Sequence, residues 1–357
     1  MALTLHGTVS DNTVVLSRQN ANPLIINGDM AVAQRGTSFT SQTGVAYHLD
    51  RYEVSAYNMG DGVYRVDQST DVPAGQGFAN SNKISCTTAD ASQDANNQFY
   101  FQTQLEGTAT SLLNYFVASP DTVSIAFWVR SNRTGTHSLA LKLSDNGSVE
   151  NNTATRIYHK LYTISSANTW EKIVCAIPLD SSTSETKVTG TGFAVAVQFW
   201  MGAGTSRDGA AAESWIDNGN ATTASANEDM LASTSNDWYI TGLQMEVGSF
   251  DANSIPPFQH ESFGDSLQRC QRYFWKPTAE GIGLAATAYG CGGRLDNPTP
   301  MRTTATISNA TFAVNQGSAG TVTVLYPTTT GQILYNSAAN WTTNAAVQVT
   351  CEVGAEL

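Results

Sequence analysis

The sequence predicts an all-β protein: a two-sheet jelly-roll sandwich with one short helix, followed by a smaller C-terminal β domain. Three observations carry this reading. Short runs of alternating apolar and polar residues recur along the chain. Clusters of Gly, Asn, Asp and Ser, such as Ser144-Asp-Asn-Gly147 and Asp217-Asn-Gly-Asn220, separate the runs with turn chemistry. Only 13% of residues are charged, against about 25% in an ordinary soluble domain. Uncharged hydroxyl and amide side chains take their place, and these suit β surfaces and limit repulsion between packed copies. Many short strands spaced by turns are the signature of a sandwich.

The chain has 357 residues. At roughly 150 residues per domain this is room for one large and one small unit. Such a length buries a core without a disulfide or metal staple. Residues 1–22 are polar and partly alternating, with a turn at Ser10-Asp11-Asn12. They are too few for a core of their own, and they read as an N-terminal anchoring arm that pairs with another subunit. A frayed terminus is the alternative.

Residues 23–260 are expected to form the jelly roll. Its strand-like runs are Pro23–Met30, Tyr47–Ala56, Val63–Gln68, Asn82–Thr87, Gln98–Glu106, Val123–Arg130, His137–Ser144, Arg156–Thr163, Glu171–Pro178, Gly192–Met201 and Asp237–Glu246. In the run from Val123 to Val129, the residues Val123, Ile125, Phe127 and Val129 share one face. Residues 261–276 read as a connecting helix. Phe263, Leu267, Cys270, Tyr273 and Phe274 fall on one helical face, Ser262 is the N-cap, Asp265 lies in the first turn, and Pro277 stops the helix. The preceding Pro256-Pro257 marks a stiff corner. Residues 277–357 return to β character, with runs at Ala279–Tyr289, Thr303–Ser308, Thr311–Val314, Thr321–Leu325, Gln332–Tyr335 and Ala346–Val353.

Charge excludes some functions. The formal net charge is −12, and the 18 Lys and Arg residues are scattered. Nucleic acid and anionic membrane both require a basic cluster, so neither is an expected partner. No apolar run approaches the ~18 residues of a membrane span. The five cysteines, Cys86, Cys175, Cys270, Cys291 and Cys351, are odd in number and far apart. They read as free thiols of a protein folded in a reducing cytoplasm. The opening residues lack the basic and apolar regions of a secretory signal.

Several segments resemble phage tail-fibre and virion proteins of the marine podovirus type. They are Pro23-Leu-Ile-Ile-Asn-Gly-Asp-Met-Ala-Val-Ala-Gln-Arg-Gly36, Tyr47-His-Leu-Asp-Arg-Tyr52, and Ser124-Ile-Ala-Phe-Trp-Val-Arg130. The last is similar to a strand of carbohydrate-binding modules. Trp238-Tyr-Ile-Thr-Gly-Leu-Gln-Met-Glu-Val-Gly248 is the most specific match, leading through Pro257-Phe258 to Ser262-Phe-Gly264 and Cys270-Gln-Arg-Tyr273. The resemblance spans residues 23–275 and reaches the C-terminal part chiefly at Pro300-Met-Arg302. It implies a homotrimeric or otherwise multimeric virion component that attaches to a host surface glycan, and on that reading the arm's partners are other virion proteins. A purely structural decoration protein of capsid or tail is the alternative, and a glycan-degrading enzyme a more distant one. Read from the residues alone, Asn27-Gly28 and Gly36 fit turns with positive φ, and Asp50 and Arg51 pair at a sheet rim to hold the fold.

No catalytic signature emerges. There is no GxSxG or HExxH motif, and the five histidines are far apart. Glu213, Asp217, Asp237 and Glu246 are carboxylates of the type that cleaves glycans, but nothing pairs them. Sugar recognition needs a flat apolar ring beside hydrogen-bonding side chains. Trp200, Trp215 and Trp341 lie in polar, turn-rich sequence and are the carbohydrate-binding candidates. Core or interface packing is the alternative for each. Trp128 and Trp170 lie within alternating runs and are expected in the core. No cofactor is expected beyond a structural calcium, for which Asp29, Asp50 and Glu246 are the candidate ligands.

Overall fold

The computed structural model describes residues 22–90, 93–147, 155–217, 229–282, 291–314, 322–336 and 346–357. Residues 1–21 of the expected arm, and Trp341, lie outside the described residues.

The first thirteen strands form two facing sheets. In chain order they are β1 (Ser38–Gln42), β2 (Ala46–Tyr47), β3 (Tyr52–Tyr57), β4 (Val63–Ser69), β5 (Ser81–Thr88), β6 (Gln98–Glu106), β7 (Thr122–Ser131), β8 (Gly135–Ser144), β9 (Thr155–Ile164), β10 (Glu171–Pro178), β11 (Phe193–Ala203), β12 (Trp215–Asp217) and β13 (Asp237–Val247). A six-stranded sheet runs β1-β4-β5-β13-β7-β10. A seven-stranded sheet runs β12-β9-β8-β11-β6-β3-β2. All the pairings are antiparallel. From β5 onward the chain changes sheet at most steps, which is the winding of a jelly roll. All-β sandwich architecture is therefore what the sequence predicts and what the structure shows.

Strand alternation puts the apolar half of each strand between the sheets. Val123, Ile125, Phe127 and Val129 of β7 point inward and are fully buried, as their spacing predicts. They meet Phe99 and Phe101 of β6, Val195, Val197 and Phe199 of β11, and Trp238 of β13 in one continuous core. Phe127 packs edge-on against Phe199, with ring centroids 4.9 Å apart.

The predicted strand at Pro23–Met30 is instead a series of turns. Asn27 (φ 58°) and Met30 (φ 59°) adopt left-handed backbone that breaks a strand. The Asn27 side chain compensates: its amide donates to the carbonyls of Val32 and Asp50, and its oxygen accepts from Val32 N–H. Gly36 has the expected positive φ, at 139°. Gly28 is needed for a different reason: a Cβ there would lie 2.2 Å from the Leu243 carbonyl oxygen.

The helix α1 (Phe263–Gln271) is capped by Ser262, whose hydroxyl accepts from Asp265 N–H. Its apolar face is shorter than predicted. Phe263 is 60% exposed, and Phe274 leaves the helix for strand β14 (Phe274–Trp275). The helix ends before Pro277 because β14 pairs with β20 (Ala346–Gly354). The strand β20 also pairs with β15 (Thr278–Ile282) and β17 (Thr306–Val314). A three-stranded sheet of β16 (Cys291–Asp296), β19 (Gly331–Asn336) and β18 (Val322–Leu325) completes the C-terminal part. Leu295, Met301, Leu334, Cys351 and Val353 form its separate small core.

Asp50 and Arg51 are both buried, and they do not pair with each other as expected at a rim. Asp50 accepts from the backbone and side chain of Gln34 at 2.6 and 2.7 Å. Arg51 reaches Glu356 near the end of the C-terminal part. Ion pairing therefore joins distant segments, which sequence adjacency does not reveal.

Candidate ligand-binding groove

The outward face of the seven-stranded sheet is unusually polar for so sheltered a surface. Alternation along Gln98–Glu106 sends Phe99, Phe101 and Leu105 into the core and turns Gln98, Tyr100, Gln102 and Gln104 outward. On β11, Val195, Val197 and Phe199 go inward while Ala196, Gln198 and Trp200 go outward. Strand register then sets these residues in rows. Gln102 lies opposite Glu53 on one side and Gln198 on the other. Tyr100 lies opposite Trp200, and Gln104 opposite Ala196, which in turn faces Lys142.

A groove of about 720 Å³ runs over these rows. That volume lies within the usual range for a small-ligand site, ~300–1,000 Å³. Across its floor, Gln198 donates to Gln102 at 2.9 Å, and Gln102 donates to Glu53 at 2.8 Å. Ser55 also donates to Glu53. This hydrogen-bonded file locks the amide rotamers, so the face is pre-organised. Beside it the Tyr100 and Trp200 rings pack 4.7 Å apart at 39°. Gln104 is only 3% exposed, and its side-chain oxygen has no partner.

Two segments wall the groove. Arg207 comes from the loop after β11, which is tied to the turn before β6 by Gly204 N–H to Asn97 O and Ser206 N–H to Ala95 O. Only glycine fits at 204, since a Cβ would lie 2.2 Å from the Asp94 carbonyl oxygen. Val45 and Leu357 close another side, where the Tyr47 hydroxyl donates to the Leu357 carbonyl at 3.0 Å.

Burial shapes the charges. It pushes the Glu53 carboxyl above its ordinary range, and the hydrogen bonds from Ser55 and Gln102 pull it partly back. Burial alone pushes the Lys142 ammonium down to about 8. Among the described residues no carboxylate pairs with Lys142 or Arg207. Glu53 is the one acidic side chain lining the groove among the described residues.

A second cavity of about 340 Å³ opens on the outer face of the six-stranded sheet. Trp128, Lys172, Phe78, Phe258 and His260 line it. Phe78 and Phe258 meet edge-on at 5.0 Å.

The tryptophans predicted for sugar contact are placed differently. Trp200 does face the groove side of the sheet, but it is 2% exposed and packs with Ala140 and Ile157. It supports the floor; Tyr100 covers it. Trp215 is half-buried on the edge strand β12, where its indole donates to Pro178 O at 2.8 Å and its ring lies beside Tyr158. It does not line the groove. Trp128 and Trp170, expected in the core, are only half-buried. Trp128 follows the inward Phe127 and so points out, and the Trp170 indole donates to Asp71 at 2.9 Å. Asp29, Asp50 and Glu246 are not gathered as calcium ligands: among the described residues no group of three or more His, Cys, Asp or Glu side chains is placed to hold a metal. Asp50 serves Gln34, Asp29 receives the Ala31 N–H at 3.4 Å, and Glu246 stands on β13 opposite Ser124. A search for exposed tryptophans misses the amide row. Its signal is present in the alternation of Gln98-Phe-Tyr-Phe-Gln-Thr-Gln104, where amides recur at even positions 98, 102 and 104.

The fold and groove define a β-sandwich with a pre-organised polar concavity on one sheet. No protein-family model and no curated protein matches the chain. Solved structures do align with it. One is the enzymatically active domain of tailspike protein 4 from bacteriophage CBA120, at 10% identity and a TM-score of 0.29, covering 55% of this chain and 19% of that one. A putative sugar binding protein from Bacteroides thetaiotaomicron aligns at 11% identity and a TM-score of 0.33, covering 63% of this chain and 100% of that one. A family 11 carbohydrate-binding module from Clostridium thermocellum, in complex with a mixed-linked tetrasaccharide, aligns at 9% identity and 0.29, covering 62% and 99%. Alignments this loose set no residue of this chain against a residue of known role.

Proposed function

We propose that the chain is a glycan-binding component of a phage particle and that the groove on the seven-stranded sheet is its binding face. The observation that carries the binding reading is the locked file Glu53–Gln102–Gln198 beside Tyr100. Sugars present hydroxyls that both donate and accept, together with apolar ring faces. Fixed amides answer the hydroxyls, and an aromatic ring answers the ring face. The virion part rests on the resemblance of residues 23–275 to phage fibre proteins. Weak single-site binding suffices there, because a particle presents many copies and linked sites raise avidity by ~10²–10⁴.

The reading is binding without cleavage. Most glycoside hydrolysis uses two carboxyl groups flanking the bond. The groove offers Glu53 alone among the described residues, and that carboxyl is engaged by Ser55 and Gln102. The test is a glycan array with Tyr57→Ala and Gln198→Ala. Tyr57 lines the groove and is 46% exposed, so its loss leaves the core intact. Tyr57→Ala should melt near the parent temperature, Gln198→Ala should stay folded but melt lower because buried Gln102 loses its donor, and both should lose binding. Retention of full binding by both would move the site elsewhere, with the Trp128 cavity the next place to test. Release of reducing ends would make the protein an enzyme.

A further inference from the structure

We propose that the groove takes an acidic glycan, one whose sugar carboxylates meet Lys142 at one end and Arg207 at the other. The inference rests on the groove being a glycan site and names the class of glycan.

The two cations stand at opposite ends of the sheet face. Lys142 is in the row of Ala196 and Gln104, two strands from Gln104, or about 10 Å at the usual strand spacing. Ala196 lies between them and leaves space above the sheet that a larger side chain would fill. Arg207 belongs to the loop fastened to Ala95 and Asn97, at the start of β6. From Gln98 to Gln104 the strand runs roughly 20 Å. That is the length of several linked sugar rings, with a positive charge near each end.

Neither charge is satisfied by the protein. Lys142 has no ion pair and no hydrogen bond among the described residues, and Arg207 Nε is buried without a partner. Several cations elsewhere in the chain do have a carboxylate: Arg35 and Arg51 share Glu356, Arg156 has Asp180, Lys160 has Glu213 and Arg272 has Glu106. Both side chains are half-buried, where a charge is less well hydrated than at an open surface, so two cations without counter-charges in one groove point to a partner that brings the negative charge. Gln104 adds a third unmet group, an acceptor oxygen with no donor, which a sugar hydroxyl would satisfy. Glu53 is the opposing charge in the groove. It sits in the middle row and is already bonded to Ser55 and Gln102, so it is set apart from both cations along the strand direction. The chain as a whole carries −12, so long-range attraction does not recruit an acidic ligand; the contact must be local.

The experiment is calorimetric titration of the full chain with three acidic probes: oligogalacturonate, a hyaluronan fragment and oligosialic acid. Each is compared with its carboxyl-reduced, neutral form. At least one acidic probe is expected to bind about tenfold or more tightly than its reduced form, and less so as salt is raised. Lys142→Met and Arg207→Gln should each reduce that preference while leaving the melting temperature unchanged or higher. Equal binding of an acidic probe and its reduced form, or binding only of neutral saccharides from the array, overturns the acidic class and leaves the groove as a glycan site. No binding of any saccharide overturns both readings.

Discussion

Arg51 and Glu356, 305 residues apart in sequence, form an ion pair inside the protein. The Arg51 side chain is 2% exposed and that of Glu356 13%. The guanidinium lies 3.5 Å from the Tyr273 ring centre and also donates to the Gln104 carbonyl. Arg35 joins the same carboxylate at 2.9 Å while lying 3.5 Å over Phe274. Arg302 grips the Glu356 and Ala355 carbonyls. The final residues are thereby fastened to the sandwich beside the groove wall that Leu357 helps to build. Arg51 itself has φ 72°, a conformation that non-glycine residues adopt only where surrounding contacts hold it.

Glu356→Ala is expected to be strongly destabilising. It leaves Arg51 buried without its counter-charge, and breaking such a pair by removing one partner costs about 3–5 kcal/mol. Urea denaturation gives the measure. An unchanged midpoint would mean that water or another carboxylate replaces Glu356 without loss.

Trp200 and Tyr57 should separate support from contact. Trp200→Ala removes a buried ring and is expected to lower stability by about 3–5 kcal/mol. Tyr57→Ala, at an exposed site, should change stability by no more than about 0.5 kcal/mol. Melting curves of the two variants are the comparison. Equal, small effects would place Trp200 nearer to solvent than the structure does.

The thiols should be slow to react in the native protein. Cys86, Cys175, Cys270 and Cys351 are free and buried. Burial pushes the thiols of Cys86 and Cys351 up to about 11 and that of Cys175 up to about 12, away from the reactive thiolate. A thiol reagent at pH 8 should modify these four only after denaturation. Rapid native labelling at any of them contradicts the packing.

Acid should weaken the fold through two histidines. Burial pushes the imidazoles of His48 and His159 down to about 4, and neither nitrogen of His159 has a partner. The unfolded chain takes up those protons near pH 6.5. The stability from the neutral rings is therefore whole above about pH 6.5 and is lost as the pH falls toward 4, on the order of 3 kcal/mol for each ring. Asp50 and Glu53 act with the opposite sign, since burial raises them: their contribution is full at low pH and is lost as the pH rises through their folded values. His159→Leu isolates one histidine. Its stability should fall less steeply between pH 6.5 and 4 than the parent's, and parallel curves would show that His159 charges freely in the fold.

Self-association is the remaining expectation. We propose a homotrimer whose residues 1–22 attach it to the particle. Light scattering at micromolar concentration tests the first part, and a stable monomer there would overturn it. Incorporation of a chain lacking residues 1–22 tests the second; normal incorporation would show that the anchor lies elsewhere.

Local pattern is enough to find most strands. Gln98–Glu106 and Glu171–Pro178 stand in the structure with the bounds their alternation predicts, because period-two burial is written in adjacent residues. The cap at Ser262 is legible for the same reason: its partner Asp265 is three residues away. Pro23–Met30 misleads because its turns are held by Asn27 reaching to Asp50, a contact of longer range. The tertiary structure alone decided the site. Gln102 meets Gln198, and Lys142 shares a row with Gln104, only because antiparallel register brings strands far apart in sequence side by side. It also decided which tryptophans face water. Trp200 and Trp128 each sit in an apolar, alternating strand, and composition does not say what covers the outward face. Packing covers Trp200 with Tyr100 and leaves Trp128 lining a cavity, since burial depends on the neighbouring strand and not on the strand's own pattern.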